Sequence, residues 1–221
     1  TNSLLLVDPH YSCMGPYVGN PKIFKCPADE STWSTGGGAG HNETPRVRSY
    51  SMSQAVGPSE NGTLAGSGDV MGHWLTDNSQ YGNGNNANPP GGFPFKVFYK
   101  DSQIVGISPS DLFVLCDEHP NSINDAALAV MMPLHPGQTY FIDTPSNVHG
   151  NSDGFAFADS HAEIHRWLDS GLIPQPIFEA DSPGAPNLGG TRNSVANDPD
   201  INWLCHHTTC LAPGAAGVYM P

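Results

Sequence analysis

Two groups of side chains in this chain have the types and spacing to do chemistry. His161, Glu163 and His165 fall at every second position, with His149 and Asp159 just ahead of them. Asp117, Glu118, His119, Asn124 and Asp125 crowd into the run DEHPNSIND. Imidazoles mixed with carboxylates suit zinc or another transition metal, while Asp117, Asn124 and Asp125 alone offer the hard oxygens that calcium takes. The candidate metal ligands are therefore Asp117, Glu118, Asn124, Asp125, His149, Asp159, His161 and His165. A divalent cation is the expected cofactor, calcium ahead of zinc. A Glu between His ligands can act as base towards a metal-bound water, so Glu118, His161 and Glu163 form the candidate catalytic set. Glu118 and Glu163 could also be the carboxylate pair of a glycoside hydrolase. The structural alternative is that the Asp and Asn side chains fix turns and that His149 bonds Asp159 to lock a hairpin.

Strands must position these groups. Phe155-Ala-Phe-Ala158 alternates large and small side chains, which predicts a strand. With Asp159-Ser160 as a two-residue turn, Ala158 faces His161 and Phe155 faces Ile164. Phe155, Phe157, Ala162 and Ile164 then share a core face, and His161, Glu163 and His165 share the other. Leu112–Cys116 is a continuous apolar run bounded by Asp111 and Asp117, the strongest strand signal. If these two strands are neighbours, both polar groups meet at one end of the sheet. Further strands are expected within 46–56 and 126–132. Asp198 as N-cap with Pro199 at the first position predicts a short helix. Residues 31–45 read as a loop.

The chain of 221 residues carries 25 Gly, 21 Pro and a formal charge of −13. It is long enough for one core with large loops. Residues 57–94 read as a loop-rich insertion, and 169–221 as a loop-rich C-terminal extension. Beyond residue 100 only Arg166 and Arg192 are basic, which argues against nucleic acid as a partner. No apolar run is long enough to span a bilayer. Cys205 with Cys210, and Cys13 with Cys26, are the expected disulfides, with Cys116 a buried thiol and an oxidising compartment implied. A zinc site from Cys205, His206, His207 and Cys210 is the rival reading. Trp33, Trp74, Tyr81 and Trp203 lie in loop-like stretches and could stack on sugar rings or pin loops to the core. His10, His41, His73 and His135 read as solvated loop residues. No serine-nucleophile elbow, phosphate loop or His-Glu-x-x-His helix occurs.

Four pieces occur in order: Phe24-Lys-Cys-Pro-Ala-Asp29, Arg48-Ser-Tyr-Ser-Met52, Asp117 to Asp125, and His149 with nine residues before Asp159. Together they resemble the prepilin-type proteins with a H-X9-DG C-terminal domain, relatives of the type II secretion pseudopilins. The Gly that follows the Asp in that pattern is Ser160 here, which disfavours a left-handed turn residue. The resemblance implies an α+β, pilin-like antiparallel sheet with few helices. This chain would be the ectodomain without the N-terminal helix, through which alone the family meets the membrane. It also implies an extracellular or envelope location, with cell-surface or secretion-system components as partners. The alternatives are a secreted metal-dependent hydrolase or lyase acting on polysaccharide, and a carbohydrate-binding module.

Overall fold

The computed structural model describes residues 2–12, 14–35, 42–57, 75, 95–124, 126–132, 140–169, 171–178, 193–194, 197–215 and 220. Cys13, Trp74, Tyr81 and Asp125 lie outside the described residues. So does nearly all of 57–94.

The fold is α+β with few helices. Nine short strands are described: β1 (Thr32–Thr35), β2 (Asn42–Pro45), β3 (Tyr50–Ser53), β4 (Phe113–Asp117), β5 (Ala127–Leu128), β6 (Tyr140–Phe141), β7 (Ser152–Phe157), β8 (Ala162–Arg166) and β9 (Asn193–Ser194). Among the described residues there is one α-helix, α1 (Pro199–Thr208). The central sheet has the order β5-β3-β4-β7-β8 and is antiparallel except for the β3–β5 pair. The two strands expected to be neighbours do pair, with Cys116 opposite Phe155. The stretch 31–45, expected as a loop, instead pairs β1 with β2. Its Thr and Trp residues favour extended backbone.

A bulge at Val114 resets the alternation of β4, since Phe113 pairs with Phe157 but Leu115 with Ala156. Phe113 and Cys116 therefore reach the core while Leu115 is 39% exposed. The inner face carries Phe113, Cys116, Phe155 and Phe157, which pack with Ile201, Leu204 and Cys205 of α1. Asp198 caps that helix as expected, accepting from the N–H groups of Asp200 (2.9 Å) and Ile201 (3.0 Å).

The β7–β8 hairpin corrects the sequence reading. Its loop has three residues, 158–160: Phe157 N–H donates to His161 O and Ser160 N–H to Phe157 O. Phe155 therefore faces Glu163, not Ile164. A one-residue slip turns every β8 side chain to the other face. Ile164, expected in the core, is 64% exposed. His161 and His165 move inward, His161 stacked on Phe157 at 4.4 Å and His165 on Trp203 at 3.6 Å. The third loop residue of such a turn adopts left-handed backbone, and Ser160 does so, at φ 78°. Ser160→Gly is expected to relieve about 1 kcal/mol of backbone cost and to raise the melting temperature by roughly 2–4 °C. A thermal melt showing no gain would contradict this turn geometry.

Candidate metal centre at the end of the sheet

Three segments far apart in sequence meet where β3 begins and β4 ends. A 3-10 turn (Pro21–Phe24), capped by the Asn20 side chain on Lys22 N–H, leads into Cys26. Cys26 N–H donates to Ser49 Oγ at 2.8 Å, and Ser49 N–H donates back to Phe24 O at 2.9 Å. Asp117 closes β4 opposite Tyr50. Its carbonyl accepts from Ser146 N–H at 2.8 Å, which holds the chain that leads to His149. His149 sits in the turn before β7, where Gly150 and Asn151 both have positive φ (71° and 61°). Asn151 anchors that turn through its side-chain amide on Trp167 O at 2.9 Å.

Cys26 Sγ lies 3.3 Å from His149 Nε2, and that nitrogen lies 3.8 Å from Asp117 Oδ2. The three ligand atoms lie within 4.8 Å of one another. Cys26, Asp117 and His149 could thus hold a metal ion. The buried groups fit that role. Among the described residues neither oxygen of Asp117 has a hydrogen-bond partner, although both are shielded from solvent. The Ser49 hydroxyl and Cys26 thiol are near enough to stabilise the carboxylate but short of bonding geometry. A buried carboxylate without donors is costly unless a cation or a proton compensates. Burial accordingly raises the Asp117 pKa, and burial followed by the Asp117 charge pushes the Cys26 thiol up to about 11. Tyr50 is pushed up to about 12, by burial and then by Asp117.

Of the expected ligands, Asp117 and His149 belong to this group. Glu118 points to the opposite face of the sheet, as the residue after an outward one must. There it accepts a very short hydrogen bond from Ser51 Oγ, and burial, then Asp143, raises its pKa well above the usual range. His119 is also buried. It accepts from Asn121 N–H through Nδ1 (3.2 Å), so its Nε2–H donates to Pro174 O (3.0 Å). Burial lowers its pKa to about 4. It is a neutral pin for the segment 171–178. Asn124 lies in an exposed bend.

The second polar group does not share the site. His149 and Asp159 flank β7 at opposite ends, so His149 does not lock the hairpin. Asp159 instead pairs with His161, Nδ1 to Oδ1 at 2.5 Å, at the hairpin tip. The tip stands about 13 Å of strand away from Asp117. Glu163 is exposed on β8. His165 faces Asp200 at 3.8 Å. The catalytic set Glu118, His161 and Glu163 is therefore not brought together, and Glu118 and Glu163 do not flank a common cleft.

The cysteines also differ from expectation. Cys26, Cys205 and Cys210 are free thiols, as is Cys116. Cys205 faces the core from α1, its Sγ towards Met131 O, while Cys210, past the helix end, turns to Val105 O. The same divergence rules out a shared Cys205–His206–His207–Cys210 zinc site: His206 is exposed and His207 stacks on Trp203 at 4.1 Å. Trp203 has an imidazole on both faces, from His165 and His207, and offers no open face to a sugar. Trp33 is 47% exposed and lies beneath the Arg46 guanidinium at 5.4 Å.

Sequence reasoning did not assign Cys26 as a ligand, nor did it find the buried carboxyls of Asp143 and Asp153. The available signal was order: Cys26, Ser49, Asp117 and His149 come one from each of the four ordered motifs. Comparison of the chain with protein-family models, curated proteins and solved structures found no match. No helix among the described residues is long and apolar enough to cross a membrane.

Proposed function

We propose that this chain is a pilin-like surface or secretion-associated domain, working outside the cell or in the envelope, which binds one metal ion as a structural clip. The observation that carries the assembly half of this reading is the outer face of the sheet. Met52, Leu115, Ala156 and Ala162 lie side by side in one row across four strands. Gly154 and Ile164 form the next row, and together with Ile23, Tyr50, Leu115, Ala156 and Ala162 they line a groove of about 500 Å³. A shallow apolar trough floored by small residues is suited to an amphipathic helix. In a pilin-like protein that helix would come from the chain itself or from a neighbouring subunit.

The donor set supports zinc or a similar transition metal over calcium. Thiolate, imidazole and carboxylate are zinc ligands, whereas calcium takes oxygens. Bond lengths of 2.0–2.3 Å place the ligand atoms of a tetrahedral ion roughly 3.3–3.8 Å apart, which the Cys26–His149 and His149–Asp117 spacings of 3.3 and 3.8 Å match. Three protein ligands leave a fourth position for water or another donor.

The double variant Leu115→Asp/Ile164→Asp tests the assembly reading. Both side chains are exposed, so its melting temperature should stay within a few degrees of the parent. Its envelope-associated fraction in the producing cell should fall about tenfold, the scale of ~1.4 kcal/mol lost at an interface. Undiminished envelope association would refute the reading. Ile164→Asp alone, at the more exposed position, serves if the double variant is unstable.

A further inference from the structure

Six of the eight basic residues of this acidic chain lie between positions 22 and 100. Three of them, Lys22, Lys25 and Arg46, line one cleft of about 540 Å³ beside the N-terminal segment. The cleft volume falls in the range of small-molecule sites. Its walls are apolar, formed chiefly by Pro21, Pro27, Pro45 and Val47. Asp29 is the one carboxylate in the lining: it accepts from Ser31 N–H at 2.8 Å, lies 4.0 Å from Lys25 and acts through its charge on Arg46, so it offsets one of the three cationic side chains.

Arg46 is the unusual member. Its guanidinium is half-buried and rests on the Trp33 ring. Among the described residues it makes no hydrogen bond and no ion pair, and its Nε is shielded from solvent with no acceptor. A buried donor without a partner costs roughly 1–3 kcal/mol, and an arginine fork is shaped for a planar carboxylate. Trp33 holds the guanidinium in place, so little side-chain freedom remains to be lost when an acceptor arrives.

We infer that this cleft binds a small organic carboxylate with an apolar body. The carboxylate accepts from the terminal nitrogens of the Arg46 guanidinium, Lys22 supplies a second charge from the rim, and the body lies against the proline wall. The alternatives differ in chemistry: a polar sugar acid would find few hydrogen-bond partners along that wall. Cys26 also touches the cleft, but the inference does not rest on the metal, because Arg46 and Lys22 are not ligands.

Titration of the chelated and the metal-loaded protein with hexanoate, hexanol, acetate and a galacturonate oligomer, followed by amide NMR shifts and calorimetry, tests the inference. Hexanoate should bind saturably in both forms, with shifts concentrated at residues 20–29 and 45–47. Hexanol and acetate should bind at least about tenfold more weakly, one lacking the charge and the other the body. Arg46→Gln should weaken hexanoate about tenfold with little change in melting temperature, because the guanidinium makes no hydrogen bond to the protein. Arg46→Lys should recover only part of the loss, and Lys22→Ala should weaken binding less. Equal binding of hexanol and hexanoate, tighter binding of the galacturonate, or no saturable binding of hexanoate would each overturn the inference.

Discussion

Adding zinc to the chelated protein is expected to raise its melting temperature by roughly 10 °C. An ion bound only to the folded state at about a thousand times its dissociation constant contributes ~4 kcal/mol, and each kcal/mol moves a domain of this size by roughly 2–4 °C. The clip joins segments far apart in the chain, since Cys26 and His149 are 123 positions apart, and adds to the Cys26–Ser49 and Ser49–Phe24 hydrogen bonds that already hold Cys26 at the sheet. Binding should also release about one proton at neutral pH. The Cys26 thiol, held up to about 11, is protonated in the chelated protein and must ionise to bind metal. Calorimetry in buffers of different ionisation enthalpy reads that proton directly. His149→Ala should abolish both effects while leaving the chelated protein's stability within about 1 kcal/mol, because the imidazole is partly exposed.

The pH dependence follows from the same groups, with a definite sign. Asp117, Glu118 and Asp153 have folded pKa values raised above 3.8, 4.5 and 3.8. Their contribution is complete at acid pH and is lost as pH rises through the raised values. His119 and His165, both lowered from 6.5 by burial, act oppositely: their contribution is complete above 6.5 and fades as pH falls. Between about pH 4 and 6.5 the two trends oppose each other. Above 6.5 the histidines no longer alter the balance, and the groups whose folded pKa is raised, these carboxyls together with the Cys26 thiol and Tyr50, set the sign there: the chelated protein loses stability as pH rises through their folded values. Metal reverses that slope, and the gap between loaded and chelated melting temperatures should widen with pH.

The second large effect concerns Asp200. This fully buried carboxylate on the first turn of α1 accepts from Leu168 N–H (3.0 and 2.9 Å) and Asp169 N–H (3.0 Å), and it faces His165. It ties the end of the hairpin to the helix that covers the core. Asp200→Ala leaves two backbone donors without a partner. The expected cost is about 3 kcal/mol, since each bond to a charged acceptor contributes roughly 1.5–3 kcal/mol. Urea denaturation measures it. A loss below about 1 kcal/mol would mean that water replaces the carboxylate and that the helix is not anchored there.

The parts of this structure legible in the sequence were those encoded by neighbours in the chain. The apolar run of β4, the Asp198-Pro199 start of α1 and the existence of the β7–β8 hairpin all follow from local pattern. The hairpin register did not follow, because Ser160 sits where a left-handed residue is needed and its side chain hides that need. A two-residue turn was the natural reading, and one residue of slip exchanged Ile164 for His165 at the core. The bulge at Val114 was equally invisible, since every residue in that run is apolar. Asp117 and His149 were recognisable as candidate ligands by type. Their separation from His161 was not, because the distance from one end of β7 to the other matters only once the pairing is known. Cys26 was misread as half of a disulfide, since nothing near it in the chain shows that its neighbours in space are an imidazole and a carboxylate.

Cobalt(II) substitution tests the metal centre most directly. Titrated into the chelated protein, one equivalent of cobalt should produce the absorption of a tetrahedral ion together with a thiolate-to-metal charge-transfer band. Cys26→Ser should remove that band and His149→Ala should weaken cobalt binding. A spectrum without a sulfur band, or one unchanged by Cys26→Ser, would contradict a centre built from Cys26, Asp117 and His149.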